Sequence, residues 1–231
     1  YFVSTSKTNI TYNSCIFESN SANIYGGAIY SDYSNSFFYN CQFKDNSVVN
    51  KSYTYGGALY STRSFTYFDF CIFNNNIAEI YQSGTAYGGA IYYSSSTLEF
   101  LRTNFNNNSV ISIANCEGGS IRLDSSTGNF SECNFTNNTC YCYGTQSSMF
   151  ASAIDSPSNS LNFEFCSFIN NKCKNIENST RALVGGGVLY LSQCKIIKEC
   201  IFYNNLVIFY GRSTITEGLI YMTSNINVSS C

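Results

Sequence analysis

The sequence predicts an all-β fold, a single-stranded parallel β-helix solenoid of about seven coils with three strands per coil. Two observations predict it. Two short patterns, C-x-F-x-x-N and G-G-A-I-Y, alternate strictly along the 231 residues. One half of every repeat also keeps a fixed length while the other half varies.

The first pattern occupies residues 15–20, 41–46, 71–76, 103–108, 133–138, 166–171 and 200–205, with Thr103 in place of cysteine in the fourth copy. The second is clear at 26–30, 56–60 and 88–92, and weaker at 118–123, 151–154, 186–190 and 217–221. From the second glycine position to the next cysteine position is 14 residues five times and 13 twice; the return distance ranges from 12 to 21. Stacked strands must hold register, whereas a corner loop can grow outward, so this asymmetry is what a solenoid requires.

Three sets of apolar residues mark the strands. Tyr12, Phe38, Phe68, Phe100, Phe130, Phe163, Ile197 and Val228 stand three places before the cysteine position. Ile29, Leu59, Ile91, Ile121, Ile154, Leu189 and Ile220 stand two after the second glycine position, and a phenylalanine stands two after every cysteine position from 15 to 200. Aromatic and β-branched residues at period two read as strands, and no segment sustains a helical period. Like residues recur in the same direction, so each strand pairs in parallel with its next copy. Coils then stack at about 4.8 Å, giving a rod roughly 34 Å long. The Asn that ends each C-x-F-x-x-N is expected to form an amide ladder at a corner, bonding backbone left unpaired by the turn. Residues 1–231 read as one continuous unit, with variable corner loops expected at 47–55, 77–87, 109–117, 139–151, 172–185 and 206–217. Both ends fall in mid-coil. The expectation is a piece of a longer solenoid, or protomers that stack end to end through open strand edges.

Composition narrows the function. Charged residues make up 11% and the net charge is −2, which argues against nucleic acid as a partner. No apolar run has the length of a membrane span. The first residues lack the basic start and apolar stretch of a signal peptide. Histidine is absent and no C-x-x-C occurs among the twelve cysteines, so no metal or cofactor is expected. Abundant cysteine without metal spacing points to an oxidising compartment, extracellular or at the cell surface. Sequons at Asn9, Asn50, Asn107, Asn129, Asn134, Asn137, Asn178 and Asn227 agree and are the expected N-glycosylation sites.

The alternation of G-G-A-I with F-x-x-N resembles the repeat of chlamydial polymorphic outer-membrane proteins and of large surface proteins of some protists. The resemblance runs from Cys15 to Cys231. It implies a right-handed β-helix displayed outside the cell, used in adhesion or as a structural coat. No outer-membrane barrel segment accompanies the repeats here, which leaves the mode of attachment open.

Other residues read as site candidates. Cys15, Cys41, Cys71, Cys133, Cys166, Cys200 and Cys231 form a ladder whose neighbouring rungs lie within disulfide range. Cys133–Cys166 and Cys200–Cys231 are candidate pairs; the alternative is a stack of buried thiols acting as small apolar fillers. Cys140 and Cys173 each follow a motif cysteine by seven residues, so they are expected as vertical neighbours and a disulfide. Cys116–Cys142 is a further candidate staple in the variable corner, and Cys194 has no assignable partner. Tyr30, Tyr60, Tyr92, Tyr190 and Tyr221 form an aromatic column interrupted by Arg122 and Asp155, expected to face outward. It covers strand edges or serves as a platform for surface glycans or a host protein. A third reading, by analogy with polysaccharide lyases and hydrolases, needs two carboxylates about 5 to 9.5 Å apart. Glu132 and Glu199 come nearest, two coils apart at roughly 9.6 Å; Asp32 and Asp124 are three coils apart at about 14 Å. The sequence therefore favours a non-enzymatic structural or adhesive protein, a glycosylated fibre subunit whose partners are adjoining coils or further copies of itself. The alternative is a carbohydrate-binding module.

Overall fold

The seven C-x-F runs each form a strand of three residues: Ile16–Glu18, Gln42–Lys44, Ile72–Asn74, Asn104–Asn106, Asn134–Thr136, Ser167–Ile169 and Ile201–Tyr203. They assemble into one seven-stranded parallel sheet bounding six full turns. The computed structural model describes residues 2–4, 8–144, 146–175, 181–208, 214–215, 218–223 and 227–231. Among them every strand pairing is parallel and no helix occurs.

Register places Phe17, Phe43, Phe73, Phe105, Phe135, Phe168 and Phe202 directly over one another. Their rings stack face to face at 4.5 to 5.0 Å. Tyr12, Phe38, Phe68, Phe100, Phe130 and Phe163 form a second stack at 4.6 to 5.0 Å. The two meet edge to face, an arrangement that suits the ring quadrupole. These columns, with Ile29, Leu59, Ile91, Ile121, Ile154 and Leu189, fill the main core.

The three predicted strands are present in the turns. Glycine-motif strands such as Leu59–Thr62 and Phe-run strands such as Phe65–Asp69 belong to one 14-stranded sheet, because the two fuse into single strands at Ile154–Glu164 and Leu189–Lys198. The variable half is more ordered than a set of corner loops. It adds a seven-stranded sheet, including Ile77–Ile80, Ser109–Ser112 and Thr139–Cys142, and a six-stranded one, including Thr85–Tyr87 and Asn115–Glu117. Their inward residues enclose a second core of Ala78, Ile80, Ala86, Val110, Cys116, Cys140, Cys142, Met149, Cys173 and Val184. Length varies in the turns between these two sheets, at 51–52, 81–84 and 113–114.

The glycine pair pinches the coil into two lobes. Gly56 has φ +67°, and a Cβ there would lie 2.0 Å from the Leu59 carbonyl oxygen. A Cβ on Gly57 would lie 2.1 Å from the Gly89 oxygen and 2.6 Å from the backbone of Ile77. The first glycine supplies the left-handed turn and the second lets two backbones touch.

Three further corners share one construction. A single residue with positive φ turns the chain, and the next residue carries a short polar side chain that stacks into a ladder. The turning residues are 33, 63, 95 and 125 at one corner; 14, 40, 70, 102, 132, 165, 199 and 230 at another; and 19, 45, 75, 107, 137, 170 and 204 at the third. The asparagine ladder forms as expected. Asn76 Nδ2 donates to the Phe43 carbonyl at 2.9 Å and to Asn108 Oδ1 at 2.9 Å, while its backbone N–H donates to the same Oδ1 at 3.0 Å. Asn46, Asn108, Asn138 and Asn171 repeat this, all without solvent exposure. Each amide therefore joins three coils.

The cysteine ladder is built from the same chemistry. Cys71 Sγ donates to the Asp69 carbonyl at 3.4 Å and accepts from the Cys41 backbone N–H at 3.4 Å. Thr103 fills its rung by donating from Oγ1 to the Leu101 carbonyl at 2.9 Å. A serine ladder, missed in the sequence, completes the set: Ser64 Oγ donates to the Thr62 carbonyl at 2.7 Å and accepts from Ser34 N–H at 3.1 Å. Its signal was a serine seven residues before the cysteine position, at Ser34, Ser64, Ser96 and Ser126.

Removing one rung leaves buried backbone groups unpaired. Asn108→Ala is expected to cost about 3 kcal/mol, read as a lower urea midpoint. Thr103→Val, which loses the donor, should cost about 1 kcal/mol more than Thr103→Cys, which keeps one.

Candidate functional site

The glycine turn brings two outward columns together. Tyr30, Tyr60, Tyr92, Arg122, Asp155, Tyr190 and Tyr221 are in register along the glycine-motif strands. Tyr25, Tyr55, Tyr87, Glu117 and Phe150, each just before a glycine-position turn, form the facing column. Within the first column Tyr30–Tyr60 and Tyr60–Tyr92 stack at 5.1 and 5.4 Å, and Tyr190–Tyr221 at 4.6 Å. Across the turn, Tyr55 meets Tyr92 edge to face at 4.9 Å. The rings thus spend their faces on one another. The tyrosine column faces outward but is only partly open: Tyr92 is 7% exposed, while Tyr30, Tyr60, Tyr190 and Tyr221 are half-buried. Burial pushes the Tyr55 and Tyr60 hydroxyls up to about 12.

Where the columns become charged, the seam holds an ion network. Arg122 pairs with Glu117, Asp124 and Asp155, and Tyr92 donates its hydroxyl to Asp124 Oδ2 at 2.6 Å. The guanidinium also lies 5.5 Å from the Tyr87 ring centroid. Asp155 has no solvent exposure, and its Oδ1 accepts no hydrogen bond. Desolvation raises its pKa to about 8, opposed by Arg122. Desolvation raises Glu117 as well. The sequence took the charges at Arg122 and Asp155 as a mark of an outward, wetted column. The column does face outward, but at Arg122 and Asp155 it is not wetted: three carboxylates enclose one guanidinium, and the network replaces ring stacking in the coils where tyrosine is missing.

The carboxylates weighed for catalysis are dispersed. Glu132 and Glu199 are exposed corner residues with positive φ, and Phe165 occupies the same corner in the coil between them. Asp32 forms an ion pair with Arg63, and Asp124 is held by Arg122 and Tyr92. No group of three or more metal-ligating side chains converges among the described residues.

No disulfide joins any of the twelve cysteines in this structure. Cys140 and Cys173 are vertical neighbours in register. Cys116 sits opposite them: Cys140 Sγ lies 3.1 Å from the Cys116 carbonyl, and Cys116 Sγ lies 3.0 Å from that of Tyr141. With Cys142 these residues lie inside the second core rather than in an outward corner, because the sheets there close over their inward faces. Cys133–Cys166 and Cys200–Cys231 are adjacent rungs, with Cys200 N–H 3.4 Å from Cys231 Sγ. Cys194 stacks on Leu161 in the main core, where burial raises its thiol to about 11. Of the sequons, Asn9, Asn107, Asn129, Asn134, Asn137 and Asn227 are exposed and Asn50 is half-buried; Asn178 lies outside the described residues.

A raised carboxyl holds its proton more tightly folded than unfolded. Its favourable contribution is complete below the ordinary Asp value of 3.8 and is lost as pH climbs towards 8. Asp155→Asn should therefore flatten the decline in urea midpoint across about pH 4 to 8, with its advantage over the parent growing as pH rises.

No curated protein and no solved structure matches the chain. The model of the Chlamydia polymorphic membrane protein repeat matches residues 14–32 and 70–94. Each segment holds one C-x-F-x-x-N followed by one glycine motif, so the chain carries repeats of this type, wound as a parallel β-solenoid.

Proposed function

We propose that this chain is a section of a non-enzymatic, surface-displayed rod with an adhesive or structural role outside the cell. The observation that carries the reading is the polymorphic membrane protein repeat, on a fold whose outer columns vary while its asparagine ladder does not. The dispersed carboxylates support a role without catalysis. The exposed sequons fit covalent N-glycans, and the parallel pairing of each coil with the next is a geometry that a second copy could continue end to end. Surface glycans or a host protein are the external partners this role implies.

Beads coated with the purified chain are expected to bind cells, or the chain to form filaments in electron micrographs. A monodisperse monomer that binds no cell would overturn the proposal. Secreted protein should lose mass on enzymatic deglycosylation, and Asn107→Gln should lower the glycan mass by one chain. Non-reducing peptide mapping should recover Cys140–Cys173 and Cys116–Cys142. Closing a loop of about 30 residues would add roughly 3.6 kcal/mol, seen as a lower urea midpoint after reduction.

A further inference from the structure

The outer face of the Phe-run sheet carries an aromatic patch unlike the tyrosine seam. Strands Asn35–Tyr39, Phe65–Asp69, Thr97–Leu101 and Thr127–Ser131 point their core residues inward and the alternate ones out. Tyr39 is 37% exposed, and Phe70, on the adjoining corner, is 56% exposed. Tyr39 and Tyr67 lie 5.7 Å apart and tilted by 51°; Phe37 and Phe65 lie 5.8 Å apart and tilted by 52°. In the seam the rings of one column are co-facial. Here the ring pairs lie diagonally across rows and are tilted, so their faces are not spent on each other.

Along this face one row passes from rings to short polar side chains: Phe37, Tyr67, Glu99, Asn129. In the next row Leu101 gives way to Ser131. That step leaves a hollow of about 350 Å³ lined by Tyr67, Glu99, Phe100, Leu101, Asn129 and Ser131. The nearby cation is committed: Arg102 bonds Asp69 at 2.8 and 3.0 Å and lies 4.0 Å over the Phe70 ring.

We infer that this hollow is a saccharide subsite, an inference that rests on the surface-display reading and names its ligand class. A pyranose has C–H faces that suit the Tyr67 ring and the Leu101 side chain, and hydroxyls that suit a carboxylate, an amide and a hydroxyl. The volume is at the lower end for ligand sites and fits one or two sugar rings. Glu99 and the commitment of Arg102 select a neutral saccharide over an acidic one. Two sources share this chemistry. One is an external glycan; the other is the chain's own glycan on Asn129, which lines the hollow and heads a sequon.

The test uses the full chain from a host that does not N-glycosylate, on an array of neutral oligosaccharides, backed by saturation-transfer NMR. Binding by the parent and by Tyr67→Phe, with at least a ten-fold loss in Tyr67→Ala and Glu99→Gln at unchanged urea midpoint, is the expected result. The external source predicts this binding survives in Asn129→Gln. The tethered source predicts that glycosylated protein binds no added sugar until Asn129→Gln frees the hollow. Array binding that ignores Tyr67→Ala, or that is confined to acidic glycans, would overturn the subsite. So would cell binding by coated beads with no neutral saccharide bound, and in that case the surface-display reading survives.

Discussion

Everything in this molecule depends on how the backbone turns at its corners. Each coil changes direction at single left-handed residues, which break the ladder of backbone pairing between coils. A bend of that kind strands donors and acceptors inside the core. The fold satisfies them with a side chain placed directly after each bend: serine, cysteine or threonine, and asparagine. The three chemistries are variants of one geometry, a short donor returned to nearby backbone, with an acceptor left for the neighbouring coil. Asparagine does most, because both amide hydrogens and the oxygen are used.

This construction explains why bulky residues are tolerated as the bends themselves. Phe70 and Phe165 hold positive φ, a conformation unfavourable to aromatic residues. Arg102 lies over one and Lys198 over the other, each from the following coil. The glycine corner is stricter, since a Cβ there would strike backbone on both lobes. The same pinch brings the two tyrosine columns together and, further along, encloses the Arg122 network.

Much of the fold was legible because stacking enforces identity of position. A phenylalanine two places after every motif cysteine can be read directly as a column. The asparagine ladder was legible for the same reason. The second core was not. Its columns mix Ala86, Cys116 and Met149, or Val110, Cys140 and Cys173, so apart from the Cys140–Cys173 pair no residue repeats to betray them. The tyrosine seam was half legible. Tyr30, Tyr60 and Tyr92 were read as a column, but their partners Tyr25, Tyr55 and Tyr87 lie across a turn whose closure depends on backbone contact between glycines. The outer hollow left no trace, because it arises from a change of side-chain size between rows rather than from a pattern within one.

The coils are joined by hydrogen bonds that point along the rod. Tension applied to its ends would load the coil interfaces in series, so each would carry the same force and the weakest would part first. A molecule built this way lengthens stepwise under pull and dissipates work.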